Sequence, residues 1–205
     1  MLHYETVDRD TLGLLKKLQE ISIFSDLRLV GGTSLALQIG HRKSIDIDLF
    51  GNFDADEFEV SEKFNKLGSV SVIKKSKNIF INIIDDIKVD VVRYPYPWIN
   101  MPLIIDNLTL ASKEDIAAMK LAAITGRGSK KDFIDIYFLL KEFSLDEIFN
   151  FYDEKFHDGN RFLVMKSLTY FEDAERDLMP KMLFEIDWET VKTFIINLVK
   201  NYQLK

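Results

Sequence analysis

Two acidic residues, Asp46 and Asp48, stand two positions apart within residues 45–50. This segment alternates strictly between apolar and acidic side chains, which is the period of a β-strand with one buried face. Such a strand would carry both carboxylates on one face, about 7 Å apart along the chain. Carboxylate oxygens are the ligands that hard divalent cations prefer, so the pair would converge on a spot for one or two such ions.

The other face of this strand is expected to be anchored in the core by Ile45, Ile47 and Leu49. Two carboxylates on a half-buried strand repel each other unless a positive charge lies between them. Because a metal ion supplies that charge, the pattern favours a metal site.

A glycine-rich segment, Gly31-Gly32-Thr33, lies between a predicted short strand at 27–30 and a predicted helix at 34–39. Glycine lets the backbone approach a phosphate, and the N-terminus of the helix adds N–H donors. Thr33 or Ser34 would supply a hydroxyl and a helix cap. A Gly-Gly turn alone is most often only a turn, so its interpretation depends on the acidic strand that follows.

The acidic segment also has an alternative interpretation as a calcium-binding loop. EF-hand positions 1, 3, 6, 7, 9 and 12 are occupied here by Asp46, Asp48, Gly51, Asn52, Asp54 and Glu57. Against this, Phe50 stands at position 5, and the entering helix would have to pass through residues 40–43. The strict alternation also suits a strand better than a wrapped loop.

Taken together, the glycine segment and the acidic strand resemble a known signature. Residues 29–50 read LVGGTSLALQIGHRKSIDIDLF and closely resemble the AbiEii/AbiGii family of nucleotidyltransferase-fold proteins, which belongs to the DNA polymerase β-like superfamily. A second similar block covers residues 115–137. Members of the family include toxins of toxin–antitoxin and phage abortive-infection systems. The resemblance implies an NTP substrate and Mg²⁺, with Mn²⁺ as an alternative ion.

The resemblance also implies a third carboxylate on a neighbouring strand, and Asp90 is the candidate. Asp90 would join Asp46 and Asp48 in holding the metal or would act as a general base. An ion pair with Lys88, two residues earlier on the same predicted face, is the structural alternative.

Residues of the second block complete the predicted site. Lys120 stands alone in an apolar helix and shares a side with Arg127, from which a lysine could reach the triphosphate. Its alternative is a stem packed on the core with its head in water. By resemblance, Asp132 orients Lys120 or touches the nucleotide, whereas a carboxylate in the first turn of a helix is ordinarily a cap or dipole effect. The predicted catalytic residues are thus Asp46, Asp48, Asp90, Lys120 and Asp132, and the predicted nucleotide-binding residues are Gly31, Gly32, Thr33, Ser34, Ser44, Lys120 and Arg127.

Together with the resemblance, these residues predict transfer of a nucleoside monophosphate from an NTP to an acceptor hydroxyl, with release of pyrophosphate. The resemblance favours RNA, particularly the 3′ end of tRNA, as acceptor, and a cognate antitoxin protein as partner. A protein hydroxyl or a small molecule such as an aminoglycoside remains an alternative acceptor. The rival from another class is a non-catalytic module that keeps the nucleotidyltransferase fold to bind a nucleotide or a partner.

The elements that must position these residues divide near a cluster of prolines at 95, 97 and 102. Before the cluster, periodicity predicts helices at 8–22, 34–39 and 55–67, strands at 27–30 and 45–50, and a hairpin of 79–84 with 87–94. After it, helices are predicted at 113–125, 131–142, 145–156, 160–173 and 187–203. The expectation is an α+β protein with a nucleotidyltransferase-fold lobe at 1–100, a mainly helical lobe at 101–205, and a ligand cleft between them.

Composition excludes several other classes of function. The chain has 205 residues, 47% of them hydrophobic, and a net charge of −6, which argues against a general nucleic-acid coat. Local basic clusters at 41–43, 74–77 and 127–131 could still meet a phosphate backbone, or could be ordinary solvated surfaces. The absence of cysteine excludes disulfides, thiolate metal sites and a cysteine nucleophile. Without a membrane-length apolar run or a signal-peptide start, a cytoplasmic protein with no membrane contact is expected.

Overall fold

The structure is a computed structural model that describes residues 1–204 and forms two compact units. The first unit comprises Met1–Pro95 and Pro102–Ala111, and the second comprises Tyr96–Met101 and the described residues from Ser112 onward. The two units therefore do not correspond to one boundary after residue 100, because the chain passes between them three times. Two short strands within 103–110 hydrogen-bond into the sheet of the first unit, so that segment belongs with the N-terminal residues.

The first unit is built around one mixed seven-stranded sheet with the strand order β3-β4-β5-β2-β1-β7-β6. Two short 3₁₀ helices, Tyr4–Thr6 and Ser22–Phe24, accompany its main elements. In chain order these elements are α1 (Arg9–Gln19), β1 (Arg28–Leu29), α2 (Gly31–Ile39), β2 (Ile47–Gly51), α3 (Glu57–Asn65), β3 (Val70–Ser76), β4 (Ile79–Ile84), β5 (Ile87–Arg93), β6 (Leu103–Ile105) and β7 (Leu108–Leu110).

The β4–β5 hairpin confirms the prediction for this part of the chain. Asp85 and Asp86 form its two-residue turn, and both adopt positive φ angles, 47° and 66°. This is the backbone that a type I′ turn requires, and a short aspartate side chain tolerates it better than most. The turn sets an unbroken antiparallel register from Ile84–Ile87 to Ile79–Val92.

Strand β2 confirms the strand interpretation of the acidic segment, and the calcium-loop alternative is wrong. It pairs antiparallel with β1 and parallel with β5, so its backbone groups hydrogen-bond to strands on both sides and cannot wrap around an ion as a loop. The prediction of its start is wrong by two residues. Ile45 is 61% exposed rather than anchored in the core, and Asp46 precedes the strand. Only Asp48 of the acidic pair therefore has its direction set by strand alternation.

One face of the sheet is covered by helices. Leu15 and Leu18 of α1 and Phe64 of α3 are fully or almost fully buried in the main hydrophobic core of this unit. From the sheet, that core receives residues of the neighbouring strands β4, β5 and β2, namely Ile47, Leu49, Phe80, Ile84, Val89 and Val91. Because successive side chains of a strand point to opposite faces, Asp48 and Asp90 project from the other face.

The second unit contains six helices within the described residues. They are α4 (Lys113–Gly126), α5 (Lys130–Leu139), α6 (Leu145–Lys155), α7 (Arg161–Ser167), α8 (Glu172–Glu175) and α9 (Trp188–Gln203). The prediction of one helix at 160–173 is wrong, because two short helices occupy this range. Hydrogen bonds from Thr169 and Tyr170 switch to i−3 acceptors, and this tighter spacing ends α7.

A fully buried ion pair fixes the segment 96–101 within the second unit. The Lys155 ammonium lies 2.6 Å from Asp115 Oδ1 and donates a 2.7 Å hydrogen bond to the Pro97 carbonyl. Asp115 in turn accepts a hydrogen bond from the Ile99 amide, and Lys155 lies over the Trp98 ring. The segment 96–101 therefore packs against the start of α4 and the end of α6. Across the part of the chain that the structure describes, no helix combines the length and apolar character that a membrane span requires.

Candidate active site

Asp48 and Asp90 are direct neighbours in the sheet. They are paired Cα positions of the parallel strands β2 and β5, where adjacent strands lie about 4.8 Å apart. Asp46 is half-buried and lies just before β2. The three carboxylates predicted to act together therefore belong to one region of the first unit, with two side by side on a single face.

Asp90 makes the ion pair that was the structural alternative to a metal site, but only through one oxygen. Its Oδ2 accepts a 2.7 Å hydrogen bond from Lys88 Nζ. Its Oδ1 is buried and has no hydrogen-bond partner within residues 1–204. Leaving a buried carboxylate oxygen unsatisfied costs about 1–3 kcal/mol or more. The Lys88 pair therefore does not account for Asp90, whose second oxygen suits a cation or a proton.

The first turn of α2 lies against Asp48, and this explains the two glycines. A Cβ placed on Gly31 would lie 2.4 Å from Asp48 Oδ2, and Gly31 also has a φ of +67°. A Cβ placed on Gly32 would lie 2.2 Å from Nη2 of Arg42. Both glycines are therefore sites of close approach, one to a carboxylate and one to a guanidinium. The segment predicted as a turn before α2 is the start of the helix itself.

Arg42 lies outside the residues predicted as a site from the sequence. It is 3% exposed, although it belongs to a basic cluster that could equally have been a solvated loop. The sequence signal for Arg42 was its position between the glycine segment and the acidic strand, next to Lys43. Its burial depends on the folding of α2 and β2 against each other, which local sequence does not reveal.

The hydroxyls predicted to bind nucleotide have contacts within the first unit. Thr33 is almost fully buried, donates a hydrogen bond to the Asp46 carbonyl and lies 2.8 Å from the Ser44 hydroxyl. Ser34 is fully buried and accepts a hydrogen bond from the Gln38 amide. These contacts fasten the start of α2 to the residues that lead into β2. A role in nucleotide binding for Thr33, Ser34 and Ser44 stays a prediction.

The N-terminus of α2 provides donors for an anion beside the carboxylates. Val30 is the N-cap residue, and it makes no side-chain hydrogen bond to the helix. The first N–H groups of a helix have no acceptor within it and carry a partial positive charge, so they favour phosphate. Because Gly31 touches Asp48, a phosphate bound there would lie next to the acidic face of the sheet.

This region suits a magnesium ion that arrives with a nucleotide. Among the described residues, no three carboxylate or imidazole groups are arranged to hold an ion by themselves. Mg²⁺ is usually bound by one or two carboxylates together with substrate phosphates, rather than by an all-protein cage. Asp48, Asp90 with its unsatisfied Oδ1, and the adjacent helix N-terminus offer that combination.

The second block of predicted residues forms a buried charge network in the second unit. The Lys120 ammonium lies 2.9 Å from Asp132 Oδ1 and 2.5 Å from Asp135 Oδ2, and all three side chains are buried. Asp132 also accepts hydrogen bonds from Arg127 and Ser129. Asp135, one helical turn after Asp132, is therefore a second partner of Lys120.

This network fixes the charge state of Asp132. Burial alone would raise the pKa of the Asp132 carboxyl, but the Lys120 ammonium, the Arg127 guanidinium and the Ser129 hydroxyl hold it well below its usual range. The structure thus brings Lys120, Arg127 and Asp132 together. The Arg127 side chain is 67% exposed and forms the solvent-facing end of the network. Contact of any of them with a nucleotide stays a prediction.

Comparison with known sequences identifies a family and a relative of similar length. Residues 13–200 match the family described as nucleotidyl transferase AbiEii toxin, type IV toxin–antitoxin system. An uncharacterized protein of Aquifex aeolicus is 36% identical over 194 residues, which cover 92% of this chain and 93% of that protein.

Solved structures share the architecture at low sequence identity. The MenT4 nucleotidyltransferase toxin of Mycobacterium tuberculosis aligns with a TM-score of 0.58 and 17% identity, covering 94% of this chain and 82% of its own. The JHP933 protein of Helicobacter pylori aligns with a TM-score of 0.55 and 16% identity, covering 95% of this chain and 92% of its own. These similarities concern the fold alone, and they confirm the predicted nucleotidyltransferase fold.

Proposed function

The chain belongs to the AbiEii family of nucleotidyltransferase toxins, and we propose that it transfers a nucleoside monophosphate from an NTP to a hydroxyl of RNA, with Mg²⁺ held by the phosphates of the NTP together with Asp46, Asp48 and Asp90. The family match confirms both the resemblance seen in the sequence and the assignment as a nucleotidyltransferase. The observation that carries the proposal is the pairing of Asp48 with Asp90 beside the glycine-started helix α2.

In the proposed reaction, the acceptor oxygen attacks the α-phosphorus as the bond to the pyrophosphate oxygen breaks. The N–H groups at the start of α2 would bind the phosphates of the NTP. Because Gly31 has no side chain, the Asp48 carboxylate lies directly against the backbone at the start of α2. Phosphates bound at that helix start would therefore lie next to Asp48. When bound, Mg²⁺ would offset the phosphate charge and lower the pKa of the acceptor hydroxyl. Because Asp90 Oδ2 accepts a hydrogen bond from Lys88 and Oδ1 would face the ion, the hydroxyl would lose its proton to solvent.

RNA is the proposed acceptor because it is a polyanion and the first unit carries an exposed basic cluster at 74–77. Membership of a toxin family supports a role as the toxin of a toxin–antitoxin system, with a cognate antitoxin protein as partner. A non-catalytic module is the second candidate. The buried oxygen of Asp90 that lacks a hydrogen-bond partner counts against this candidate. Such an oxygen lowers the stability of the fold, and no cation or proton would offset that loss in a non-catalytic module.

Labelled nucleotides test the proposal directly. Purified protein is incubated with Mg²⁺, total RNA and each NTP labelled at the α-phosphate, and RNA is assayed for label. Asp48→Asn and Asp90→Asn are each expected to lower labelling by about 100-fold or more, which is the order of a lost electrostatic contact at a reacting centre. Asp10→Asn removes the same charge from an exposed position on α1 and is expected to keep wild-type labelling.

Two outcomes would contradict the proposal. Undiminished labelling by Asp48→Asn would remove this carboxylate from the reaction. Tight binding of NTP and Mg²⁺ by the wild type, without pyrophosphate release in the presence of RNA, protein or small-molecule acceptors, would instead establish the non-catalytic module.

A further inference from the structure

The line of Asp48 and Asp90 continues across the sheet to its exposed edge. Asp90 on β5 is paired with Ile81 on β4, and Ile81 is paired with Lys74 on β3. Paired residues of neighbouring strands project to the same face. Asp48, Asp90, Ile81 and Lys74 therefore form one row on the face opposite the helix-covered core, and they are called the cross-sheet row below.

A β-bulge places the lysine in this row. The register of β3 with β4 shifts between Val72 and Lys74, which leaves Ile73 as the extra residue. Without this shift, the register that pairs Val72 with Asn82 would pair Ile73 with Ile81. The side chain of Lys74 would then project from the other face of the sheet. Bulges often re-aim side chains beside active sites. Here the bulge exchanges an apolar side chain for a cation on the face that carries the carboxylates.

The surface between Asp90 and Lys74 is apolar and partly open. Ile79, Ile81 and Ile83 share this face of β4 and are half-buried, whereas the alternate residues of the strand are buried in the core. On β3, residues 71–75 are exposed. Lys74 makes no ion pair with any part of the chain that the structure describes. Its neighbour Lys75 points to the other face, where it lies 4.0 Å from Glu57.

We propose that the cross-sheet row binds the 3′ end of a single-stranded RNA acceptor, with the terminal nucleoside over Ile81, its hydroxyl at Asp90 and a backbone phosphate at Lys74. This rests on the proposed function. Two strand spacings separate Asp90 from Lys74, about 10 Å between their Cα atoms, and the lysine side chain adds its own reach. Surfaces for single-stranded nucleic acid combine cations along the backbone with apolar side chains that contact the bases. The row offers a cation at Lys74 and a half-buried apolar side chain at Ile81.

A polypeptide acceptor fits this edge less well. An extended peptide would bind by adding a strand to β3, and lysines on an edge strand discourage such pairing. The β3–β4 hairpin carries Lys74, Lys75 and Lys77 close together in sequence, which attracts a polyanion. The charge of the edge therefore favours RNA.

Adjacent lysines on opposite faces provide a matched test. The probe is a fluorescent single-stranded RNA of about 12 nucleotides with a free 3′-hydroxyl, and its affinity is measured by anisotropy over a range of salt concentrations. Lys74→Ala is expected to weaken binding by about five- to tenfold at low salt and to reduce the salt dependence by roughly one phosphate contact, about 0.7 in the log–log slope. Lys75→Ala removes the same charge and is expected to stay within about twofold of wild type.

Equal effects of the two substitutions, no effect of either, or no RNA binding by the wild type would each overturn the cross-sheet row as the acceptor site. Transfer of label to a protein in place of RNA would overturn it as well. Calorimetry of wild-type protein with NTP and Mg²⁺ separates this result from the proposed function. Retained nucleotide binding and RNA labelling with an unaffected Lys74→Ala would leave the transferase proposal standing and remove only the row.

Discussion

The Asp48 carboxylate lies so close to Gly31 that a Cβ on that glycine would stand 2.4 Å from Oδ2. Gly31 also adopts a left-handed φ of +67°, which disfavours any L-residue. The start of α2 and the acidic face of the sheet are therefore joined by a contact that only glycine permits. A side chain at this position would have to displace either the helix start or the carboxylate.

Gly31→Ala is accordingly expected to impair both stability and function. The positive φ alone costs roughly 1–2 kcal/mol for an L-residue, and displacement of Asp48 adds to it. We expect the free energy of unfolding to fall by at least that amount and nucleotide binding to be lost. Urea denaturation and calorimetry with NTP and Mg²⁺ measure the two effects.

Gly13→Ala is the matched control for Gly31→Ala. Gly13 lies inside α1, and a Cβ there would meet nothing within 4 Å. Since alanine is the better helix former, this substitution should raise the free energy of unfolding by about 0.5–1 kcal/mol and leave nucleotide binding intact. Loss of binding in both variants, or in neither, would refute the specific role of Gly31.

Magnesium with a nucleotide should stabilise the wild type through Asp48 and Asp90. A ligand that binds only the folded state adds about 2.7 kcal/mol at a concentration 100 times its Kd. We expect Tm to rise with NTP and Mg²⁺ added together, and this rise to disappear in Asp48→Asn. An equal rise in Asp48→Asn would place the ion elsewhere. Asp10→Asn, exposed on α1, should respond like the wild type.

The fold could be predicted where hydrophobic periodicity was strong. Strands β2, β4 and β5 alternate between core and open face, and α9 has the expected period over its whole length. Strand β3 escaped prediction because it is an edge strand with exposed residues on both faces, so no alternation appears in the sequence. Strands β6 and β7 have three residues each, too few to show a period.

The sequence predicted those site residues that lie on strands with clear alternation of apolar and polar side chains. Asp48 and Asp90 were found because each sits in an alternating strand, and their adjacency follows from the parallel register of β2 with β5. The burial of Arg42 and the second partner of Lys120 were not predicted, because both arise from packing between segments distant in sequence. The re-aiming of Lys74 depends on a single-residue bulge, which has no signature in the sequence.

The depressed pKa of Asp132 predicts a stability that depends on pH. Because the folded pKa lies below the unfolded value of about 3.9, this carboxyl stabilises the folded state fully above that value. The contribution is lost as the pH falls further toward the folded pKa. Below about pH 4, the free energy of unfolding should therefore fall more steeply with decreasing pH in the wild type than in Asp132→Asn.

Chemical denaturation at several pH values measures this difference. At neutral pH, Asp132→Asn should itself lose about 3 kcal/mol, since it removes one partner from a buried network around Lys120. Circular dichroism at pH 7 establishes that the variant is folded before the slopes are compared. Parallel pH profiles of the wild type and the variant would show that Asp132 does not have the depressed pKa.

Removal of the buried Lys155 ammonium should destabilise the second unit more than any surface lysine does. Lys155 is fully buried against Asp115, so Lys155→Ala leaves a buried carboxylate without its cation, at a cost of about 3–5 kcal/mol. Lys200→Ala on the exposed side of α9 should change the free energy of unfolding by no more than about 0.5 kcal/mol. The double substitution Lys155→Met with Asp115→Asn removes both charges and should recover part of the loss, because no unpaired charge remains. If the double variant recovered none of the loss, removal of the unpaired charge would not restore stability, and the attribution of the loss to the broken ion pair would be contradicted.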